Sequence, residues 1–215
     1  MAKRRPRKRL TRRGPEREPY DRVLIVCEGK CTEPLYVQDL AAHYRLSTAN
    51  VVITGEGADP RTVVRVAKKL RSVEGRQGEK YDRVYCVFDR DEHMTFRQAC
   101  DEARASGICI ARSWPCFEFW FRLHFGFSRQ PYFTSGGRTA AQRCVDELRG
   151  WLPGYEKGAS GIFHALDASL ESAMDNANRA LADAKATGDF NPSTEVHHLV
   201  DYLQKLKSKQ TGNQH

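Results

Sequence analysis

The sequence predicts an α/β fold, a mainly parallel sheet flanked by helices, with a helical C-terminal elaboration. Three observations predict it. Short apolar, β-branched runs alternate with segments whose apolar residues recur at helical spacing, the pattern of successive βα units. Two of those runs end in acid: Val23 to Cys27 leads into Glu28-Gly29, and Val84 to Phe88 into Asp89-Arg90-Asp91. Beyond residue 138 the character is helical, to about residue 207.

Taken in order, Val23 to Cys27 reads as a first strand. Glu33 to Tyr44 follows as a helix, with Leu35, Tyr36, Leu40, Ala41 and Tyr44 on its apolar face and Thr32 as its N-cap. Val51 to Ile53 reads as a second strand, and Gly55-Glu56-Gly57 as the turn after it. Asp59 then Pro60 is an N-cap followed by proline at the first helical position, and Val63, Val64, Val66, Ala67 and Leu70 form that helix's apolar face. Val84 to Phe88 is the third strand, Phe96 to Ala105 a helix, and Ile108 to Ile110 the fourth strand. The aromatic segment Cys116 to Phe125 reads as a buried helix, and 126 to 138 as a loop rich in Gly, Ser and Pro. Helices are expected over about 139 to 151, 164 to 186 and 192 to 207, the last starting at Asn191-Pro192-Ser193-Thr194. The expected organisation is a basic tail over 1–18, an α/β core over 19–126, a helical elaboration over 127–207 and a frayed end over 208–215.

Net charge is +8, but its distribution matters more than its size. Residues 1–18 hold nine Lys/Arg, from Lys3 to Arg17, against Glu16 and Glu18. The other 197 residues carry 26 bases and 25 acids, so the body is nearly neutral. A block of like charge without apolar partners does not build a core; it reads as a disordered arm that gathers a phosphate-rich polymer, or as a solubilising leader. The seven cysteines form no CxxC pair and no zinc-like spacing with histidine, which suits a reducing compartment. No apolar stretch approaches the roughly 18 residues of a membrane span, so the expected location is the cytoplasm.

The chemistry sits where the strands end. In a parallel α/β sheet ligands bind at the carboxyl ends of the strands, which is where Glu28, Asp89 and Asp91 fall. Asp89 and Asp91 are two apart and share a side of an extended chain. Three carboxylates brought together repel one another unless a cation sits among them. Hard divalent cations take such oxygen ligands, with water and substrate phosphate completing the shell. The alternative is a solvated strand end with ordinary turn-forming acids.

These residues resemble the arrangement of Toprim domains, found in topoisomerases, DnaG-type primases, recombination proteins and OLD-family nucleases. More closely, the chain resembles the RloB-like family. The resemblance rests on VCEGKCTE at 26–33, VFDRDEH at 87–93, SWPCFEFWFRLHF at 113–125 and NPSTEVHHLV at 191–200. It implies a Toprim-like, Rossmannoid core and a Mg²⁺- or Mn²⁺-dependent nuclease site. It also implies a role in prokaryotic defence and an ABC-type ATPase partner. By position, Glu28, Asp89 and Asp91 inherit the metal and catalytic roles. Glu33 is a further candidate ligand, its alternative role being a first-turn acid that complements the helix dipole. Glu118, an acid amid Phe117, Phe119, Trp120 and Phe121, must face a polar site or pair with a cation.

The basic partner is less defined: Lys30 and Arg90 lie inside the motifs, while Arg112 and Lys157 have no spacing that separates them from surface charge. His93, close after the acids, reads as a surface residue with a minor ligand role as the alternative, and His197 and His198 point to different faces of a helix. The chain lacks GxxxxGK[ST], so it is not its own ATPase. Two further readings stand beside the nuclease: a non-catalytic subunit that binds nucleic acid or an ATPase through a vestigial site, and phosphoryl or nucleotidyl transfer on a small nucleotide.

Overall fold

The computed structural model describes residues 21–47, 49–53, 59–90 and 94–212. The tail from Lys3 to Arg17, the turn at Gly55 to Gly57, and Asp91 and His93 lie outside the described residues. Among those described, the order is β1 (Val23–Cys27), α1 (Thr32–His43), β2 (Ala49–Ile53), α2 (Pro60–Arg76), β3 (Arg83–Asp89), α3 (Phe96–Ala105) and β4 (Cys109–Trp114). Then come α4 (Glu118–Arg122), a 3₁₀ turn (Leu123–Phe125), α5 (Ala140–Trp151), α6 (Ile162–Leu166), α7 (Leu170–Thr187), β5 (Ser193–Thr194) and α8 (Val196–Gly212).

The sheet runs β2-β1-β3-β4-β5; the first four strands are parallel and β5 is antiparallel to β4. This is a Rossmann-like α/β arrangement. The chain leaves β1 toward β2 on one side, then returns to place β3 on the other, so the connections diverge between β1 and β3. In open α/β sheets that switch point opens a crevice beyond the carboxyl ends of the two strands.

The alternation of side chains along each strand builds two cores. Val23, Ile25 and Cys27 of β1, with Tyr85 and Val87 of β3, pack against α1, α4, α5, α7 and α8. Leu24 and Val26, with Val84, Cys86 and Phe88, pack against Val63, Val64 and Ala67 of α2 and Ala99, Cys100 and Ala103 of α3. Strands buried on both faces read as continuous apolar runs, which is why β1 and β3 are legible as sequence.

Local details differ from expectation in three places. Asp59 caps α2 as expected, accepting from the Arg61 N–H at 2.9 Å. Thr32 does not cap α1; Cys31 holds that position, and Thr32 Oγ1 instead accepts from the Gly158 N–H at 3.2 Å. The fourth strand extends to Trp114, four residues beyond the apolar run. Ser193-Thr194, expected to start a helix, forms the edge strand β5, with the Ser113 and Thr194 hydroxyls hydrogen-bonded at 2.9 Å. The segment expected as a helical elaboration therefore also returns a strand to the sheet.

Candidate active site

The switch-point crevice is where the two acid-tipped strands meet. The Glu28 N–H donates to the Val87 carbonyl at 3.0 Å, extending the β1–β3 ladder by one residue. The Asp89 N–H in turn donates to Glu28 Oε2 at 3.2 Å. Asp89 pairs in register with Ser113 of β4, whose carbonyl accepts from the Arg90 N–H at 2.7 Å. The backbone of three neighbouring strands thus holds the two acids side by side. By alternation from Tyr85 and Val87, Asp89 lies on the sheet face that carries α1, α4 and α5.

On that face stand two more carboxylates. Glu33, in the first turn of α1, is 8% exposed. Its carboxylate lies against Gly29: a Cβ at that glycine would sit 2.1 Å from Glu33 Oε2. Gly29 is therefore small because the carboxylate occupies the space a side chain would fill. Burial pushes the Glu33 pKa up, its own backbone N–H pulls the other way, the charge of Glu118 adds to the rise, and Lys157 opposes it. Glu118, in the first turn of α4, is 1% exposed. Its Oε1 accepts from the Tyr155 hydroxyl at 3.1 Å and pairs with Lys157 Nζ at 3.3 Å. Burial works against the charge on Lys157, but Glu118, Cys116 and Asp89 raise its pKa above the ordinary value.

Asp89, Glu33 and Glu118 thus share one face of the sheet, Glu28 meets Asp89 at the strand ends, and Glu118 pairs with Lys157. The loop after α5 delivers this lysine and is pinned to α1 by the Gly158–Thr32 bond and by the Gly161 N–H donating to Asp39 Oδ2 at 3.2 Å. Lys157 carried no distinguishing signal in the sequence, since it lies in a loop 39 residues beyond Glu118. Tyr155 was not foreseen at all. Lys30 is exposed on the turn after β1. Arg112 is paired with Glu195 at 2.9 Å. Arg90 lies over the Trp114 ring, 3.7 Å from its centroid. His197 and His198 sit on α8, remote in sequence from the cluster, with ring centroids 4.0 Å apart.

Among the described residues, no three His, Cys, Asp or Glu side chains are grouped as a metal centre requires. Asp91, the third acid of the expected set, lies outside them. The donor chemistry nevertheless suits a hard cation: these side chains offer carboxylate oxygens, and the pKa of Glu33 is raised first by burial and then by the charge of Glu118.

The fold and the crevice define a Rossmann-like α/β protein in which Glu28 and Asp89 meet at the switch point of the sheet. The model of the RloB-like protein family matches residues 23–203, and the chain belongs to that family. No curated protein and no solved structure matches the chain significantly. Among the described residues no helix is long and apolar enough to cross a membrane.

Proposed function

We propose that this RloB-like protein is a Mg²⁺- or Mn²⁺-dependent nuclease that hydrolyses phosphodiester bonds through a Toprim-type site. The observation that carries the reading is the meeting of Glu28 and Asp89 at the switch point, with Glu33, Glu118 and Lys157 on the same side. Glu28 and Asp89, with Asp91 by its place in the motif, are the residues that would hold the cation. A bound divalent ion supplies Lewis-acid polarisation of the phosphate and a lowered pKa for the attacking water.

The remaining roles belong to the chain. Glu33, whose proton affinity is raised by burial, is placed to accept a proton from that water. Lys157, held by Glu118, offsets charge developing on the phosphoryl oxygens. Tyr155 fixes the Glu118 carboxylate so that the lysine is presented from a rigid base. The basic segment from Lys3 to Arg17 raises the local concentration of nucleic acid. Action in prokaryotic defence beside an ABC-type ATPase follows from the family resemblance and completes the proposal.

The test is a cleavage screen of DNA, RNA, tRNA and nucleotides with Mn²⁺ or Mg²⁺, with and without the ATPase partner. Wild type is expected to cut a polymer, and Asp89→Ala and Glu28→Ala to leave it intact while melting normally. Cleavage unchanged in both variants rules the site out. No cleavage under any condition transfers the weight to a non-catalytic binding subunit.

A further inference from the structure

Beside the carboxylate cluster lies a groove of opposite character. A cavity of about 1130 Å³ is lined by Arg90, the residue after Asp89, and by Phe96, Arg97, Trp114 and Phe133, among others. It is an open groove rather than an enclosed pocket. Phe133 is 65% exposed and Met94, also on the groove, 97% exposed. Large apolar side chains held open to water at one place mark a surface that receives something. The Arg90 guanidinium lies 3.7 Å from the Trp114 centroid and 5.3 Å from that of Phe96. Arg97 is close enough to add to its positive field, while Arg112, also near, is paired with Glu195. Among the described residues neither Arg90 nor Arg97 forms an ion pair.

A second cavity of about 690 Å³ shares Thr139 and Ala141 with the first and reaches Lys157. Its other cations, Arg138 and Arg149, are partly neutralised by Asp146. The two cavities adjoin at Thr139 and Ala141, at the start of α5, with Arg90 lining one and Lys157 the other.

Phe96 is buried and Trp114 is covered by Arg90, so Phe133 is the open ring of the groove. Arginines beside an open aromatic face are the chemistry that holds an unpaired strand: phosphates on the cations, a base on the ring. Bases within a duplex already stack on one another and cannot reach a side chain without being extruded. We propose that the groove lined by Arg90, Arg97, Trp114 and Phe133 is a base-stacking subsite that selects single-stranded or locally unpaired nucleic acid beside the catalytic acids. This deepens the nuclease reading and rests on it for the position of the scissile phosphate. The binding claim is separable from it.

The experiment uses the full chain in EDTA, so that binding is read without cleavage. Fluorescence anisotropy follows a labelled single-stranded DNA, an RNA of the same sequence and the matched duplex. Phe133 is exposed, so Phe133→Ala is expected to fold normally, which a thermal melt checks. It should weaken single-strand binding by about tenfold or more while leaving duplex binding, carried by the basic tail, unchanged. Phe133→Trp should restore it. An abasic position in the strand should cost wild type affinity and cost Phe133→Ala nothing further. Equal losses for strand and duplex, or no loss, overturn the subsite. A loss confined to the single strand in a protein that cleaves nothing keeps the subsite and removes the nuclease instead.

Discussion

The backbone N–H of Asp89 donates to the side chain of Glu28 at 3.2 Å, so the acid that ends one central strand is oriented by the acid-bearing end of the next. The bond spends one lone pair of Oε2 and fixes the carboxylate at the mouth of the switch-point crevice. Glu28 and Asp89 are therefore held by the ends of two central strands, while the first turns of α1 and α4 and the loop after α5 bring in Glu33, Glu118 and Lys157.

Glu33 makes a pH-dependent prediction. Its folded pKa is raised above the ordinary value of 4.5, so the folded state binds the proton more tightly than the unfolded chain. That stabilisation is complete below the unfolded pKa and is lost as pH rises through the folded pKa. Glu33→Gln removes the buried charge. Its melting temperature should exceed that of wild type at pH 8, with the gap closing toward pH 4. The same variant should lose about 10²–10⁴-fold in metal-dependent cleavage, the usual contribution of a general base. A gap that does not change with pH contradicts the assignment.

Gly29 is expected to be intolerant of a methyl group for a steric reason alone. The added Cβ of Gly29→Ala meets the Glu33 carboxylate. The carboxylate must move, so cleavage should fall sharply, at a stability cost of about 1–3 kcal/mol typical of overpacking. Melting curves of Gly29→Ala with Glu33→Ala should return most of that stability without returning activity.

Lys157→Ala leaves Glu118 buried, hydrogen-bonded to the Tyr155 hydroxyl but without its cation. Breaking a fully buried pair costs about 3–5 kcal/mol, but the lysine side chain is 60% exposed and water screens it. A loss of roughly 1–2 kcal/mol in chemical denaturation is expected, together with weaker cleavage. Glu118→Gln with Lys157→Ala should be more stable than Lys157→Ala alone.

Two buried histidines set the acid limit. Burial lowers the pKa of His124 to about 4 and that of His197 to about 3, from an ordinary 6.5. Both stay neutral in the fold and must charge on unfolding, so the stability they support is complete above 6.5 and is lost as pH falls toward those values. His124 alone is worth on the order of 3 kcal/mol across that window. His124→Gln, which keeps a polar group for the Trp120 carbonyl, should flatten the fall in melting temperature between pH 6.5 and 4.

The central strands and their acids were legible because burial on both sheet faces writes an uninterrupted apolar run, and because each run stops at a carboxylate. Glu118 was legible as an acid with no excuse among aromatics, and its partner turned out to be a lysine. The lysine itself was not, because a long-range pair in a loop leaves no period. Nor was β5: two residues, Ser193 and Thr194, become a strand only because Ser113 and Trp114 offer them an edge. Thr32 misled because its hydroxyl serves Gly158 rather than its own helix. The groove at Phe133 was hidden in a segment read as plain loop.

The most direct test of the site is a calorimetric titration of Mn²⁺ into wild type and into the Glu28→Gln, Asp89→Asn double variant. The wild type should bind the ion and melt at a higher temperature in its presence, and the double variant, folded, should do neither. Equal Mn²⁺ affinity in the two proteins would contradict the account.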